Sequence, residues 1–200
     1  MARSPTPGTR DRILDNATRL FDEHGARAVG MQQIVDECGC GKNMLYREFA
    51  SKDDLVVAYL DRCHQEWTAI VDDAIRPLAG DPARQLVAIV AVAAGQVAAA
   101  DYRGCPFRTA HAQFRDPSHP VHRAAARHLD DLHGRLRALA GQAGARDPDV
   151  LTDRLTLVVD GIYVNGAAFG GRGAATAAVD LAGEIVAAAV GDREPAATGP

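Results

Sequence analysis

A chain of 200 residues that is 47% apolar has enough material to fill a hydrophobic core, which excludes an intrinsically disordered protein. Only 5% of residues are aromatic, alanine is abundant and β-branched runs are short, so closely packed helices are expected rather than sheets. The formal net charge of −4 argues mildly against a nucleic-acid partner, since Lys and Arg carry phosphate binding, and directs attention to how the charge is distributed.

Residues 1–8, MARSPTPG, are rich in Pro and Gly and read as a flexible arm. Thr9 is expected to cap a first helix whose apolar positions Ile13, Leu14, Ala17, Leu20 and Phe21 share one face, and Gly25 to end it. A second helix is expected over 31–38, with Ile34 and Val35 inward and Gly39 as its stop, and a third over 42–49. Ser51 followed by Lys52, Asp53 and Asp54 places a hydroxyl cap before first-turn carboxylates, starting a long helix. Its inward set is Leu55, Val56, Tyr59, Leu60, Cys63, Trp67 and Ile70, and it breaks at Arg76-Pro77.

Three Asp-Pro pairs follow, at Asp81-Pro82, Asp116-Pro117 and Asp147-Pro148, each expected to mark a helix start because Asp caps and Pro suits the first helical position. The first leads into Leu86, Ile89, Val90 and Val97. After the second comes a narrow seam of Ala125, Leu129, Leu132, Leu136 and Leu139, and after the third Leu151, Leu155, Val158, Val159 and Ile162. A Gly-rich loop at 170–173 precedes a last helix through Val179, Ala182, Ile185, Val186 and Ala189, and the tail over 192–200 reads as flexible. The two terminal helices are alanine-rich and are expected to pair as a hairpin, leaving an apolar face that is either buried within the subunit or covered by a second copy.

Two short helices around a Gly39 turn, supported by the helix before them, fit a helix-turn-helix. Charge does not reveal it, because residues 1–52 hold eight basic side chains against seven acidic ones. The third helix is more telling. Lys42, Asn43, Tyr46 and Arg47 share one side while Leu45 and Phe49 take the other, which is a base-reading face or, less specifically, a solvated one.

The run over 13–60, containing LFDEHGARAVGMQQIVDECGCGKNMLYREFASKDDL, resembles the DNA-binding segment of the tetracycline-repressor (TetR) family. The likeness includes the Leu-Phe before the first Gly, the Ile of the second helix, the turn Gly, the Lys opening the third helix, Leu-Tyr, Phe, and the Ser-Lys-acidic start of the fourth. It implies an all-α fold: an N-terminal three-helix helix-turn-helix domain over 9–55, joined by the long fourth helix to a helical ligand-binding and dimerisation domain over 56–191. It further implies that Lys42 and Tyr46 hold phosphates, that Asn43, Met44 and Arg47 approach bases, and that Gln32 and Lys52 brace the DNA backbone. Gly30 and Gly41 stand where this family usually has Ser or Thr caps, which removes two hydroxyl contacts at small cost to the helices. Glu48 replaces a usual His or Tyr and is either a specificity residue, accepting from cytosine, or turned away.

The implied function is a regulator, as a repressor, binding double-stranded palindromic operator DNA as a homodimer and released by a small hydrophobic or amphipathic effector. Candidate effector contacts are Trp67, Tyr102, Phe107, His111, Phe114, Asp160, Tyr163 and Asn165, each of which is alternatively core or a backbone-satisfying group. The tracts around Tyr102–Phe107 and Asp160–Tyr163 are similar to one C-terminal subtype of the family. No cofactor or metal is expected: Cys38-x-Cys40 lacks the usual zinc spacing and is better explained by packing, and His111 with His119-x-x-His122 is a still weaker hint. Cys63 and Cys105 show no neighbouring base that marks a reactive thiol. A helical dimeric enzyme or carrier is the competing class, but no phosphate loop, nucleophile elbow or zincin motif supports turnover. No export signal or uncharged apolar run of about 18 residues occurs, so a cytoplasmic protein without a membrane partner, with Cys38, Cys40, Cys63 and Cys105 reduced, is expected.

Overall fold

Alanine-rich amphipathic segments separated by Gly, Pro and Asp yield an all-helical chain in the computed structural model, which describes residues 8–100, 102–169 and 173–191. Among the described residues there is no strand, and the α-helices are α1 (Thr9–His24), α2 (Met31–Cys38), α3 (Lys42–Glu48), α4 (Lys52–Ile75), α5 (Pro82–Ala98), α6 (Pro106–Gln113), α7 (Pro120–Gln142), α8 (Pro148–Phe169) and α9 (Ala178–Val190). Residues 1–7 of the arm expected over 1–8, the tail from residue 192 and residues 170–172 of the glycine loop lie outside the described residues.

Two packing units form. The first runs to Glu66 and includes Cys105–Leu129; the second holds Trp67–Gly104 and the chain from Asp130 on. In the first unit α1 buries Ile13, Leu14, Ala17, Leu20 and Phe21, the face its spacing predicts, and ends where Gly25 (φ 81°) donates its N–H to the Phe21 carbonyl at 2.8 Å. Thr9 is not the cap: it is the first helical residue and buried, and Gly8 (φ 84°) precedes it, its carbonyl accepting from Arg12. Gly39 closes α2 in the left-handed conformation, φ 60°, which glycine adopts without steric cost. Ser51 caps α4 as expected, its Oγ accepting from the Asp54 N–H at 3.1 Å.

Further expectations are corrected: Ile70, expected to face inward on α4, is exposed. Asp116 does not open a helix: its carboxylate accepts from both the N–H and the hydroxyl of Ser118 at 2.8 Å, forming a local turn, and α7 begins later at Pro120. Those same bonds hold the Asp116 carboxyl below the usual range. Cys38 and Cys40 are joined by a disulfide and are not free thiols, because the left-handed Gly39 turn brings their Cα atoms to 5.3 Å. Cys63 and Cys105 are free.

In the second unit Asp81 and Asp147 cap α5 and α8 as predicted, accepting from Arg84 and Val150 N–H at 3.0 Å each. α5 packs against both α8 and α9, and α8 pairs with α9. The α5–α8 approach is close: a Cβ on Gly166 would lie 2.4 Å from Val97 Cβ. Leu132, Leu136 and Leu139 of the predicted α7 seam are buried. The span Gly173–Val190 is long and apolar enough to cross a membrane by composition alone. It carries Asp180 and Glu184 and buries Ala175, Ala178, Ala182 and Val186. On α8, Val150, Leu157 and Val164 recur every seven residues and stay 43%, 70% and 67% exposed, with Leu181 of α9 47% exposed.

Candidate nucleic-acid interface

Helix α3 is a short helix anchored from below and dressed above. Leu45 is fully buried and Phe49, which follows the last turn, nearly so. Lys42, Asn43, Tyr46 and Arg47 are exposed and Met44 half-exposed, so the donors expected to meet DNA share the solvent side. Both short helices start at glycine, Gly30 and Gly41 in extended conformation, without a side-chain cap bond. Gln32 on α2 is exposed and donates to Asp36 at 2.9 Å. Lys52 is half-buried, and its ammonium donates to the Arg27 carbonyl at 2.9 Å; burial holds its pKa below the ordinary lysine value. It thus braces the α1–α2 connection. Arg10 crosses the Phe49 ring at 4.1 Å and donates to the Glu48 carbonyl at 2.6 Å, tying α1 to the end of α3.

Helix α1 is further fastened to α4 within the first unit. Tyr59 donates to Asp22, Phe21 and Tyr59 meet edge to face with centroids 5.4 Å apart, and Arg62 pairs with Asp15 at 2.5 Å. Burial, with Cys63 and Asp22 alongside, raises the Tyr59 pKa, so the phenol stays a donor. The connection between α6 and α7 reaches the α1–α2 connection and the first turn of α4. The Arg27 guanidinium lies 5.5 Å from the Phe114 ring centroid, and His119 Nε2 lies 3.3 Å from Asp53 Oδ2. Since the Val121 N–H donates to His119 Nδ1, it is Nε2 that carries the proton toward Asp53.

The candidate effector residues separate by unit. In the first, Phe107 is buried and stacks on His128, His111 is exposed and lies 4.3 Å from His122 between ring centroids, and Phe114 is half-buried. In the second, Tyr102 donates to the Tyr163 carbonyl at 3.2 Å with ring centroids 6.4 Å apart, and the Tyr163 hydroxyl donates to Gln96 Oε1 at 2.7 Å. Trp67 and Tyr163 are buried, and Asp160 and Asn165 half-buried. Asn165 spends its amide on the Gly161 carbonyl one turn back. Gln96 escaped the sequence reading although a lone amide near the end of an apolar helix was the signal available, and so did the pair His64 and His128, which only the fold brings together. Among the described residues no group of three or more His, Cys, Asp and Glu is disposed to hold a metal.

An exposed row of Lys, Asn, Tyr and Arg on the second helix of a glycine-turned pair defines a helix-turn-helix DNA-binding protein. Residues 13–59 match the family of bacterial regulatory proteins described as tetR. A TetR-family transcriptional regulator from Streptomyces coelicolor is 30% identical, with a TM-score of 0.79 over 90% of this chain and 93% of that one. A second solved regulator of this type, from Streptomyces avermitilis, is 28% identical with a TM-score of 0.77, covering 90% and 97% of the two chains. Among curated relatives, an uncharacterized HTH-type transcriptional regulator of Mycobacterium tuberculosis is 44% identical over 52 residues, and the activator FasR of Mycolicibacterium smegmatis 33% over 89. Those two alignments cover 26% and 41% of the relatives' own lengths. The chain belongs to the TetR family of transcriptional regulators. It is a DNA-binding regulator of transcription and not an enzyme.

Proposed function

We propose that the protein is a repressor that binds a palindromic operator as a homodimer and leaves it when a small hydrophobic or amphipathic effector binds. The observation that carries the DNA half is the exposed α3 face; in this reading Lys42 and Tyr46 hold phosphates, Asn43, Met44 and Arg47 approach base edges, and Gln32 and Lys52 support the backbone contact from their flanks. The functional division is a DNA-binding domain over 9–55 and a ligand-binding and dimerisation domain over 56–191, in the cytoplasm. Dimerisation draws on the exposed stripe Val150, Leu157 and Val164 of α8 with Leu181 of α9, an apolar face too regular to be scattered surface residues.

Effector contact is assigned to Phe107, His111 and Phe114 in the first unit and to Trp67, Tyr102, Asp160, Tyr163 and Asn165 in the second. The first group supplies a route to release. Phe114 and His119 touch Arg27 and Asp53, so displacement of the α6–α7 connection disturbs the residues that hold α1, α2 and the start of α4. Activation is the second reading, favoured by the relative named as an activator.

The test is selection of duplexes from a random library by the full chain, then footprinting. The expected outcome is a two-fold symmetric site with half-sites roughly 34–36 Å apart. Enrichment of no sequence, or protection of one asymmetric half-site, contradicts the proposal. Transcription from the selected site, with and without the protein, separates repression from activation.

A further inference from the structure

The sequence places two cysteines on either side of the one glycine that turns the chain between α2 and α3, and the structure joins them. Cys38 is the last residue of α2 and half-buried; Cys40 is 6% exposed and lies two residues before Lys42, the first residue of α3. The turn is otherwise poorly held. Gly39 and Gly41 flank Cys40, glycine loses more conformational freedom on ordering than any other residue, and neither α2 nor α3 has a side-chain cap bond. The first turn of α3 hangs from this point, with the Gly41 carbonyl accepting from Met44 at 2.8 Å and Leu45 at 3.1 Å. A covalent bond across Gly39 therefore restricts the segment that aims Lys42 and Asn43.

We propose that Cys38 and Cys40 form a reversible dithiol–disulfide site in the helix-turn-helix, oxidised by hydroperoxides, and that the oxidised form binds DNA more tightly than the reduced one. The second clause rests on the DNA-binding role assigned to α3. The disulfide form is the competent one because α2, α3 and the buried Leu45 are all in place with the bond present.

The chemistry fits the positions of the two sulfurs. The Cys40 N–H donates to Cys38 Sγ at 3.2 Å, which favours negative charge on that sulfur, and Cys38 is the more exposed of the two. With hydrogen peroxide the Cys38 thiolate attacks one oxygen: an S–O bond forms, the O–O bond breaks, and the leaving hydroxide takes a proton to become water. The Cys40 thiol then attacks the sulfenic sulfur, forming the S–S bond and releasing a second water as its proton joins the departing oxygen. Two thiols lose two electrons and the peroxide gains them. A small-molecule dithiol reverses this by exchange, becoming a disulfide itself. With the bond present Cys38 Sγ lies 3.6 Å from the Val35 carbonyl, which is therefore in place to accept the thiol proton once the bond is reduced. The other two cysteines do not compete: Cys105 is buried, and burial first, then Asp22 and Glu66, pushes the Cys63 thiol up to about 12.

The experiment uses the full chain and a duplex it enriches from a random library. Protein treated with hydrogen peroxide or with dithiothreitol is alkylated, digested and weighed, and its affinity for the duplex is measured in parallel. Peroxide is expected to link Cys38 to Cys40 and to tighten binding on the order of tenfold, the scale of closing so short a loop, with dithiothreitol reversing both. Cys38→Ser is expected to bind like the reduced protein under both treatments, and the double variant Cys63→Ser, Cys105→Ser to respond as the parent does. Failure of the link to form, or a link that leaves affinity unchanged while the duplex is still bound, overturns the proposal and leaves the DNA-binding reading standing. If neither form enriches any duplex, the DNA-binding reading falls and the proposal falls with it.

Discussion

His64 of α4 and His128 of α7 face each other through their Nδ1 atoms at 3.0 Å, with ring planes 88° apart. A contact of this kind holds one proton between two nitrogens, so one Nδ1 donates and the other accepts. His128 is 3% exposed and carries the Phe107 ring flat against it. Burial first, then His64 and Arg108, pulls its pKa down to about 3.

That depression makes the fold acid-sensitive. Between about pH 6.5 and pH 3 the unfolded chain binds a proton at residue 128 that the folded chain refuses, so stability falls as pH drops through this window and is untouched above it. At pH 5 the contribution is about 2 kcal/mol. Urea unfolding near pH 7.5 and pH 5 is expected to show wild type losing roughly that much more between the two conditions than His128→Gln. Equal losses in the two proteins would remove His128 as the cause.

Gly166 is the second sensitive point, because α5 and α8 meet there with no room for a side chain. A methyl group would overlap Val97 Cβ and both of its γ carbons, and because Cβ is fixed to the backbone this demands a shift of one helix and costs about 1–3 kcal/mol. Gly95→Ala on α5 meets nothing within 4 Å and is exposed, so it should stabilise by up to about 1 kcal/mol through helix propensity. Thermal melts of the two variants should move in opposite directions. A Gly166→Ala melt equal to wild type would show that the crossing relaxes freely.

What could be read from the sequence depended on whether the information was local. The α1 face, the Gly25 and Gly39 stops, the Ser51 cap and the Asp81 and Asp147 helix starts were all legible, since each is decided within one turn of chain. Asp116-Pro117 carried the same signal and failed, because the carboxylate is taken by the N–H and hydroxyl of Ser118 in a local turn. The Cys38–Cys40 bond runs against the expectation of reduced thiols, because the left-handed glycine between the two cysteines decides their approach. Contacts between distant segments, His64 with His128 and Tyr163 with Gln96, left no trace in spacing. Residues 105–129 pack with the N-terminal helices, a grouping that no composition shift announces.

The α8 stripe bears on assembly. Leu157 and Val164 are among the most exposed large apolar side chains in the described residues, and charge in their place, two turns apart, should prevent a second copy from docking. Leu157→Glu combined with Val164→Glu is expected to convert a dimer into a monomer by light scattering, with helicity retained because neither side chain is buried within the subunit. A dimer that survives both changes would put the interface elsewhere.

The division of labour on α3 is open to a direct comparison. Tyr46 is 43% exposed, and its hydroxyl is assigned to phosphate; Asn43 is assigned to a base edge, where an amide pairs with both hydrogen-bonding groups of adenine. Tyr46→Phe removes one hydrogen bond that every sequence offers, so affinity should drop about five- to tenfold on selected and random duplexes alike. Asn43→Ala should cost about 1–3 kcal/mol on the selected site and much less on random DNA, flattening preference at one base pair in each half-site. Titrations on both duplexes, with single-base variants of the selected one, separate the two behaviours. If Asn43→Ala weakens all duplexes equally, or Tyr46→Phe spares random DNA, the roles given to the two side chains are exchanged or absent, and the helix reads its site through Met44 and Arg47 instead.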